Sequence, residues 1–275
     1  MKISVIISTY NAPLWLEKVL WGYSVQTEKN FEILIADDGS DEITQNLIEL
    51  FNSTVFNQSI IHVWHEDKGY RRQEILNKAI LLSTGDYIIM TDGDCIPRKD
   101  FVEIHAKHAK KGYFLSGGYC KLSMKLSSLI DKNAILNENC FDLNWLKKHD
   151  KIGFSQSLKI KSNGFTEILL DKLTPTGATF NNCNSSAWKK DILEINGYDE
   201  RMKYGGPDRE LGERLNNIGI KGIQIRHKAI CLHLEHKRSY KTKESLTNNL
   251  TIRKQTKKEK VKKTLYGIEK FTFGV

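Results

Sequence analysis

The first ninety residues alternate between two hydrophobic periods, and this alternation limits the folds that the chain can adopt. Largely apolar runs occur at 3–8, 31–36, 60–64 and 86–91, and each has the length of a buried β-strand. Between these runs, apolar residues recur at helical spacing, as in 71–83. Strands that alternate with helices predict a mostly parallel sheet with right-handed crossovers and flanking helices. The expected fold class is therefore α/β.

The second half of the chain is less regular. Helices are expected near 127–149, over 184–195 and over 207–218, and a strand is expected over 222–234. No internal repeat is visible.

Polar clusters follow three of the four predicted strands: Ser8 to Asn11, then Asp37-Asp38, then Asp92-Gly93-Asp94. Ligands bind at the carboxyl ends of the strands in such sheets, so the three clusters predict one binding site along that edge. A carboxylate at a strand end can accept hydrogen bonds from a ribose or a base. The alternative for the second cluster is a helix start, which Ser40 or Asp41 would cap.

The third cluster has the form expected of a divalent-cation site. Asp92 and Asp94 are separated by one glycine directly after a predicted buried strand. Hard cations such as Mn²⁺ or Mg²⁺ prefer oxygen ligands and keep phosphates in their shell. His233 lies in the predicted strand 222–234 and would complete the shell, with His236 as the alternative. Two aspartates at this spacing also occur in solvated turns, so the prediction depends on the strand context.

A further carboxylate cluster opens the helix predicted over 207–218. Gly205 and Gly206 allow a close approach between the backbone and a ligand, and Pro207 suits a first helical position. Asp208 then lies at a helix N-terminus, where the dipole favours its ionised form. Such a carboxylate can act as a general base, and the alternative is a simple helix cap.

Taken in their order along the chain, these motifs resemble those of the inverting glycosyltransferases of family 2, which have the Rossmann-like GT-A fold. The blocks that carry the resemblance are STYN, ADDGS, TDGDC, FNNCNSSAWKKDILEINGYDE and GGPDRELGERL. The last two blocks are also similar to the carboxyl-terminal part of β-1,4-galactosyltransferases and of bacterial chondroitin-polymerase domains. The resemblance covers about residues 1–236. It implies a nucleotide-binding half at 1–111, an acceptor-binding half at 112–236, and a basic helical tail outside them at 237–275.

The resemblance also implies a site for a UDP-sugar donor. Thr9 and Tyr10 would contact the uracil, and Asp37 or Asp38 would hold the nucleoside. Asp92 would contact the ribose or a water on the cation, and Asn184 would line the sugar site.

The remaining implied roles concern the cation and the reaction. Asp94 and His233, with Asp92, would hold Mn²⁺ or Mg²⁺, and Asp208 would be the base. The chain departs from the family at Pro207, where the family has a glutamate.

Two further groups are expected near the reacting centre. Gly206 and Glu210 are expected beside the acceptor. Arg71 or Arg72 would pair with the diphosphate, because a guanidinium matches phosphate geometry, and the alternative for both is an exposed helix start.

The expected activity is therefore transfer of a hexose or N-acetylhexosamine from a UDP-sugar to a glycan or lipid-linked saccharide, in surface polysaccharide or lipopolysaccharide synthesis. A sugar-phosphate nucleotidyltransferase is one alternative, but STYNAPLW lacks the glycine-rich phosphate loop that it would need. A catalytically inactive sugar-binding or scaffold protein is another. The presence of Asp94, Asp208 and His233 together argues against it.

Positive charge is concentrated at the end of the chain. Residues 237–275 hold 12 Lys or Arg and 3 Asp or Glu, whereas the whole chain holds 42 and 33, so residues 1–236 are neutral. If the tail is helical, Val261, Leu265, Ile268 and Phe271 share one face, which suggests contact with an acidic membrane surface. A solvated tail is the alternative. No nucleic-acid partner is expected, because interleaved aromatics and recognition motifs are absent.

The cysteines and the N-terminal sequence indicate the compartment. Five cysteines at wide spacings, with no C-x-x-C, fit neither a disulfide framework nor a zinc site. The first residues lack the form of a signal peptide, and no run reaches the roughly 18 apolar residues of a spanning helix. The expected location is the cytoplasm, with peripheral contact at the membrane.

Overall fold

An eight-stranded sheet forms the centre of the protein in the computed structural model, which describes residues 1–56, 60–161, 164–173, 177–237 and 240–272. Its strands are β1 (Ile3–Thr9), β2 (Phe31–Asp37), β3 (Ile60–Trp64), β4 (Tyr87–Asp92), β5 (Cys95–Pro97), β6 (Tyr113–Lys121), β7 (Ser185–Trp188) and β8 (Lys221–His233). Their order across the sheet is β3-β2-β1-β4-β7-β6-β8-β5.

Helices cover both faces of this sheet. They are α1 (Pro13–Ser24), α2 (Glu42–Thr54), α3 (Arg72–Leu82), α4 (Phe101–His108), α5 (Met124–Leu129), α6 (Lys132–Leu136), α7 (Leu143–His149), α8 (Phe154–Lys161), α9 (Phe165–Leu173), α10 (Lys189–Glu194), α11 (Pro207–Asn217), α12 (Lys243–Lys258) and α13 (Glu269–Thr272). Alternate residues of β1 enter two cores, with Val5 and Ile7 on one face and Ile6 on the other. Burial on both faces explains why this strand is a continuous apolar run.

The predicted parallel sheet and its common edge are confirmed. Strands β3, β2, β1 and β4 lie side by side, and every pairing among them is parallel. The register places Asp37 beside Thr9, and Asp92 beside Ser8. All three polar clusters therefore end at one edge, where the sequence predicted a binding site.

Two predicted helices differ from the structure. The helix expected over 184–195 begins as strand β7, which lies antiparallel between β4 and β6 and leads into α10. Its serines are small enough to be buried in the middle of the sheet. The helix expected near 127–149 is divided into short pieces, because Asp131 and Asp142 each cap a new helix by accepting a backbone N–H three residues later.

The side chain of Asn184 is structural, which corrects its predicted place at the sugar site. It is fully buried, and its amide donates to the carbonyl oxygens of Gly118 and Ala229. His105 Nε2 lies 2.9 Å from its Oδ1, and His105 Nδ1 lies 2.7 Å from Ser186 Oγ. Asn184 thus joins α4 to strands β6 and β8, and both polar atoms of its side-chain amide are hydrogen-bonded within the protein.

Glu210 is also structural, which corrects its predicted place beside the acceptor. It is 1% exposed and accepts two hydrogen bonds from Arg214 Nε, at 2.8 and 3.0 Å. Arg214 is fully buried and donates onward to the carbonyl oxygens of Ile195 and Gly197. A buried charge pair of this kind needs all of its hydrogen bonds, so neither group is free to meet a sugar.

The C-terminal segment packs onto the sheet domain as a long helix followed by an irregular stretch. Helix α12 lies along α11, where Arg253 Nε donates to Glu213 at 3.1 Å. The single amphipathic face predicted over 261–271 is wrong, because the chain is not helical from 261 to 268. Leu265 is 88% exposed, whereas Ile268 is buried in the core. None of the described helices is both long enough and apolar enough to cross a bilayer.

Removal of Glu210 tests its structural role. We expect Glu210→Ala to lower the free energy of unfolding by about 3–5 kcal/mol, since it leaves Arg214 charged, buried and unpaired. Denaturant unfolding measures this loss. Glu194→Ala, at an exposed position of α10, is the control and should stay within about 0.5 kcal/mol. A loss below about 1 kcal/mol for Glu210→Ala would contradict the buried pair.

His105 predicts a pH dependence of stability. Burial lowers the pKa of His105 from 6.5 to about 4 in the folded protein. As pH falls below 6.5, the unfolded chain therefore binds a proton at His105 before the folded chain does. His105 should therefore lower the free energy of unfolding by about 1.4 kcal/mol for each unit by which the pH falls between 6.5 and 4. Above pH 6.5 its stabilising contribution is fully present. His105→Gln should remove that slope in denaturant titrations at pH 7 and 5, and an unchanged slope would contradict a neutral buried imidazole.

Candidate active site

A charged network lies at the carboxyl ends of β1 and β4. Asp92 pairs with Arg72 and accepts a hydrogen bond from Ser8 Oγ at 3.0 Å. Arg72 also donates to Ser8 Oγ, from Nε at 3.0 Å and from its terminal nitrogen at 2.7 Å. Burial alone would lower the pKa of Arg72, but the carboxylate of Asp92 raises it above its ordinary value. Arg72 therefore stays cationic at this edge of the sheet.

Next to this network, Asp94 meets two histidines. His236 Nε2 lies 2.9 Å from Asp94 Oδ2, and His233 Nε2 lies 3.9 Å from the same oxygen. Burial opposes ionisation of Asp94, but the hydrogen bond with His236 and the charges of both imidazoles lower its pKa overall. The rings of His233 and His236 are nearly parallel, with their centroids 5.9 Å apart. His236, the alternative in the sequence, is thus nearer to Asp94 than His233 is.

The second nitrogen of each histidine shows that this cluster suits a cation. His233 Nδ1 lies 2.9 Å from the carbonyl oxygen of Leu234, and His236 Nδ1 lies 2.9 Å from that of Lys237. A carbonyl only accepts, so each Nδ1 carries the hydrogen in these contacts. The Nε2 atoms, which lie on the side of the Asp94 carboxylate, are then the ring atoms that are available to a cation. Backbone carbonyls that fix the imidazoles in this way are typical of metal-ligating histidines.

Cys95 adds a sulfur atom to the same cluster. Asp94, Cys95 and His233 each place a ligand atom within 4.8 Å of the others. Strand pairing explains this, because Cys95 on β5 lies directly opposite His233 on β8. Burial raises the pKa of the Cys95 thiol, so it is neutral unless a cation displaces its proton. Asp92 lies outside this close group, since its carboxylate pairs with Arg72.

The nucleoside end of the predicted site differs from the expectation in one residue. Asp37 is fully buried, with Ser40 N–H donating to Oδ1 at 2.8 Å and His62 Nε2 lying 2.9 Å from Oδ2. This corrects its predicted contact with a nucleoside, because its carboxylate stabilises the turn after β2. Asp38 is 6% exposed, and it accepts the backbone N–H of Arg71 at 3.0 Å.

An exposed pair lies over this end. Tyr10 is 48% exposed and donates from its hydroxyl to Asp67 at 2.8 Å. Thr9 is buried beside it, and its hydroxyl has no partner within the described part of the chain. Tyr10 and Asp67 therefore present polar atoms at this surface, and the unpartnered hydroxyl of Thr9 lies buried next to them.

Arg72, and not Arg71, is the arginine of the charged network. The side chain of Arg71 bonds the carbonyl oxygen of Glu66 and lies 3.5 Å from Glu74 Oε2. Arg71 is the residue just before α3, and Arg72 is the first residue of that helix. The chain turns by about one quarter of a circle per residue in a helix, so the side chains of these two neighbours point in different directions. This corrects the predicted contact between Arg71 and a phosphate.

Asp208 lies at the start of α11, with its carboxylate partly exposed. Gly206, in the left-handed region at φ 91°, precedes Pro207 at the first helical position, as the sequence predicted. Asp208 accepts the backbone N–H of Arg209 at 2.8 Å and that of Asn182 at 3.3 Å. Its charge also raises the pKa of Arg72, so Asp208 lies near the Asp92–Arg72 pair.

Aromatic rings lie beside the histidines of this cluster. The Tyr240 ring lies 5.0 Å from that of Tyr204 and 5.9 Å from that of Tyr70, and the Tyr119 ring lies 5.7 Å from His233. Burial raises the pKa of Tyr240 to about 12, so its hydroxyl remains a neutral donor. Such rings present flat apolar surfaces with polar edges beside the charged groups.

Sequence reasoning missed several groups at this site: Ser8 as a partner of Asp92, Asp67, Cys95 beside Asp94 and His233, and the four tyrosines Tyr70, Tyr119, Tyr204 and Tyr240. Ser8 and Cys95 lie within the blocks STYN and TDGDC, so the signal for them was present in the sequence. Asp67 and Tyr240 adjoin no motif. Their positions depend on how loops fold over the sheet, which local patterns do not encode.

Comparison with known families gives a match for two parts of the chain. The model for glycosyl transferase family 2 matches residues 4–160. A model described as the N-terminal domain of galactosyltransferase matches residues 172–237, which include Asp208 and His233.

Curated relatives agree with these matches. An uncharacterised glycosyltransferase of Bacillus subtilis, YfnE, is 26% identical over 285 residues, covering 91% of this chain and 69% of that protein. Chondroitin synthase of Pasteurella multocida is 24% identical over 238 residues, covering 78% of this chain and 23% of that enzyme. An uncharacterised glycosyltransferase of Rickettsia felis is 34% identical but is matched over only 18% of its length.

Solved structures share the fold. Staphylococcus aureus TarS 1–349 in complex with UDP-GlcNAc matches with a TM-score of 0.60 at 15% identity, covering 87% of this chain and 60% of that one. A mannosyltransferase from Pyrobaculum calidifontis in complex with GDP-Man and Mn²⁺ matches with a TM-score of 0.58 at 18% identity, covering 87% and 58%. Because the family 2 model spans more than half of its residues and the fold is GT-A, this chain belongs to glycosyltransferase family 2.

Proposed function

We propose that this protein is an inverting, cation-dependent glycosyltransferase that moves a hexose or N-acetylhexosamine from a UDP-sugar to a glycan or lipid-linked saccharide. The observation that carries the proposal is the convergence of Asp94, His233 and His236 beside the Asp92–Arg72 pair, with Asp208 close enough for its charge to act on Arg72. A cation site, a fixed guanidinium and a partly exposed carboxylate are the groups that sugar transfer from a nucleotide requires.

The donor would lie along the edge of the sheet. Thr9, Tyr10 and Asp67 offer polar atoms to a nucleoside at one end, and Asp38 lies beneath them. Arg72 is held cationic by Asp92 and can donate to a diphosphate. The complex of TarS 1–349 with UDP-GlcNAc supports a UDP-sugar as donor class, and the complex of the mannosyltransferase with GDP-Man keeps a GDP-sugar as the alternative.

Asp94 and His233 would hold Mn²⁺ or Mg²⁺, with Cys95 and His236 next to them. When bound, such a cation supplies positive charge against the diphosphate of the leaving group. Arg72 adds a second, fixed positive charge that needs no rearrangement. Among the described residues, the donor set of oxygen, nitrogen and sulfur favours Mn²⁺ over Mg²⁺, because Mg²⁺ is held almost entirely by oxygen.

Asp208 is proposed as the base. Its carboxylate takes the proton from an acceptor hydroxyl while that oxygen forms a bond to the anomeric carbon. The bond between the anomeric carbon and the phosphate oxygen breaks, and UDP leaves with the electron pair. One displacement from the opposite face inverts the anomeric centre. Backbone N–H groups of Asn182 and Arg209 hold the carboxylate in place for this step.

The cellular setting follows from the proposed acceptor. We infer a role in surface polysaccharide or lipopolysaccharide synthesis at the cytoplasmic face of the membrane. Four lysines at the end of α12 and after it are exposed, as is Leu265, and they would face acidic head groups: Lys254, Lys258, Lys260 and Lys262. This contact uses the irregular stretch after α12 and the exposed side of α12, in place of the amphipathic helix that the sequence suggested.

The nucleotidyltransferase alternative gains nothing from the geometry. The loop after β1 carries Tyr10 and Asn11, and Asn11 Oδ1 accepts the backbone N–H of Asp41. Asn11 thus connects two loops of the domain and leaves no row of glycine N–H groups for a triphosphate. The inactive-protein alternative predicts that even the wild-type protein releases no UDP from any donor.

Substitution of Asp208 tests the proposed chemistry. The purified protein should release UDP slowly from one member of a panel of UDP-sugars with Mn²⁺, and faster with acceptor. Asp208→Asn should lower transfer by about 10²–10⁴-fold, because it removes the base, and leave affinity for UDP unchanged. The matched control is Asp86→Asn, an exposed residue just before β4, at the opposite end of that strand from Asp92. Full transfer by Asp208→Asn would exclude it as the base.

Cobalt spectroscopy tests the cation site without any assay of turnover. Co²⁺ should bind at Asp94 and His233 and give a thiolate-to-cobalt absorption band in the near ultraviolet, because the cation displaces the thiol proton of Cys95. Cys95→Ser should lose that band and still bind Co²⁺. Cys140→Ser, which removes another buried thiol, should keep it. A band that survives in Cys95→Ser would show that another sulfur holds the metal.

A further inference from the structure

Helix α12 holds the loop that leads into Asp208. Asn249, on α12, is 1% exposed, and its side-chain amide donates to three consecutive carbonyl oxygens of that loop. The acceptors are Lys203 at 2.9 Å, Tyr204 at 3.1 Å and Gly205 at 3.1 Å. One buried amide thus binds three successive carbonyl groups of the turn. The amide has only two N–H hydrogens, so at least one hydrogen is shared between two carbonyl oxygens.

The loop and the helix are in direct contact on the same side. Gly205 has φ 111°, and a Cβ atom added there would lie 2.4 Å from Leu246 Cδ2. Gly206 has φ 91°, and a Cβ atom added there would lie 3.3 Å from Arg253 Cδ. Glycine suits both positions, because the backbone is left-handed there and an added Cβ atom would crowd side chains of α12. The Tyr240 ring, just before α12, packs 5.0 Å from that of Tyr204.

Helix α12 is in turn fastened to α11, the helix that begins beside Asp208. Arg253 Nε donates to Glu213 at 3.1 Å, and Thr256 Oγ1 donates to the buried Glu210 at 3.0 Å. Asn217, the last residue of α11, donates to the carbonyl oxygens of Thr256 and Val261. The contacts run along both helices, so α12 cannot shift without a shift of the loop or of α11.

We propose that Asn249 is a positioning residue that sets the place of Asp208 through the 203–206 loop, and that α12 is thereby part of the catalytic domain. This inference rests on the proposed role of Asp208 as the base. Asp208 follows the held carbonyl of Gly205 by three residues, across a turn in which only Gly205 and Gly206 absorb the change of direction. A base must lie within hydrogen-bond reach of the acceptor hydroxyl, so a small displacement of this turn is sufficient to slow transfer.

Two measurements on Asn249→Ala test the proposal, with Asn248→Ala as the matched control on the exposed side of the same helix. The first is tryptic cleavage after Lys203, followed by mass spectrometry of the native protein. Loss of the three hydrogen bonds should free the loop, so cleavage should become several times faster in Asn249→Ala and stay unchanged in Asn248→Ala. The second is steady-state UDP release, in which kcat should fall about tenfold or more while KM for the donor stays within about twofold.

The outcomes separate the two proposals. Equal cleavage in Asn249→Ala and wild type would overturn the holding role of Asn249, whatever the activity. Faster cleavage with an unchanged kcat would overturn the link to Asp208, and a parallel loss of kcat and UDP affinity would indicate general damage and overturn it as well. Faster cleavage in a protein whose wild type releases no UDP from any donor would contradict the proposed function and support the holding role.

A second variant covers the case in which Asn249→Ala does not fold. Leu246 is 36% exposed, so Leu246→Ala removes its contact with Gly205 at little cost to the core. It should accelerate cleavage after Lys203 and lower kcat in the same direction, by a smaller factor. A folded Leu246→Ala protein with wild-type cleavage and wild-type kcat would contradict the proposal.

Discussion

Strand β1 pairs in parallel with both β2 and β4, and the candidate site depends on this arrangement. Residue-by-residue register brings the ends of the three strands to one edge, so that Asp92 lies beside Ser8, and Asp37 lies beside Thr9. Buried apolar side chains on both faces fix that register, because a slip of one residue would exchange the two faces. The functional groups are thus placed by the packing of residues that take no part in chemistry.

Buried polar groups connect this edge to the rest of the domain. Arg214 and Glu210 join α11 to the loop before Tyr198, and Asn184 with His105 joins α4 to the middle of the sheet. These groups are expensive to bury and need complete hydrogen bonding. Their role explains why residues within family motifs can lack contact with any ligand. The same logic extends to Asn249, whose amide holds the turn before the proposed base.

Much of the fold followed from sequence patterns, and part of the site did not. Strong periodicity and apolar runs were sufficient for the parallel strands, and the polar residues at strand ends pointed to Asp94 and His233, which the structure brings together. Strand β7 was missed because its serines carry no hydrophobic signal. Asn184 and Glu210 were placed at the surface of the site, since a motif does not show whether a polar side chain points into the core. The tail was misjudged because its attachment depends on contacts of single residues such as Asn249, Arg253 and Thr256, which its net charge does not reveal.

The most direct test of the central claim is calorimetry of UDP binding with Mn²⁺ and with chelator, for wild type and Asp94→Asn. In the proposed donor site, a cation would lie between Asp94, the histidines and a diphosphate that also meets Arg72. Wild type should therefore bind UDP with Mn²⁺ and lose at least about tenfold in affinity with chelator, and Asp94→Asn should lose that dependence on metal. Equal UDP affinity with Mn²⁺ and with chelator in wild type would contradict a cation-dependent donor site.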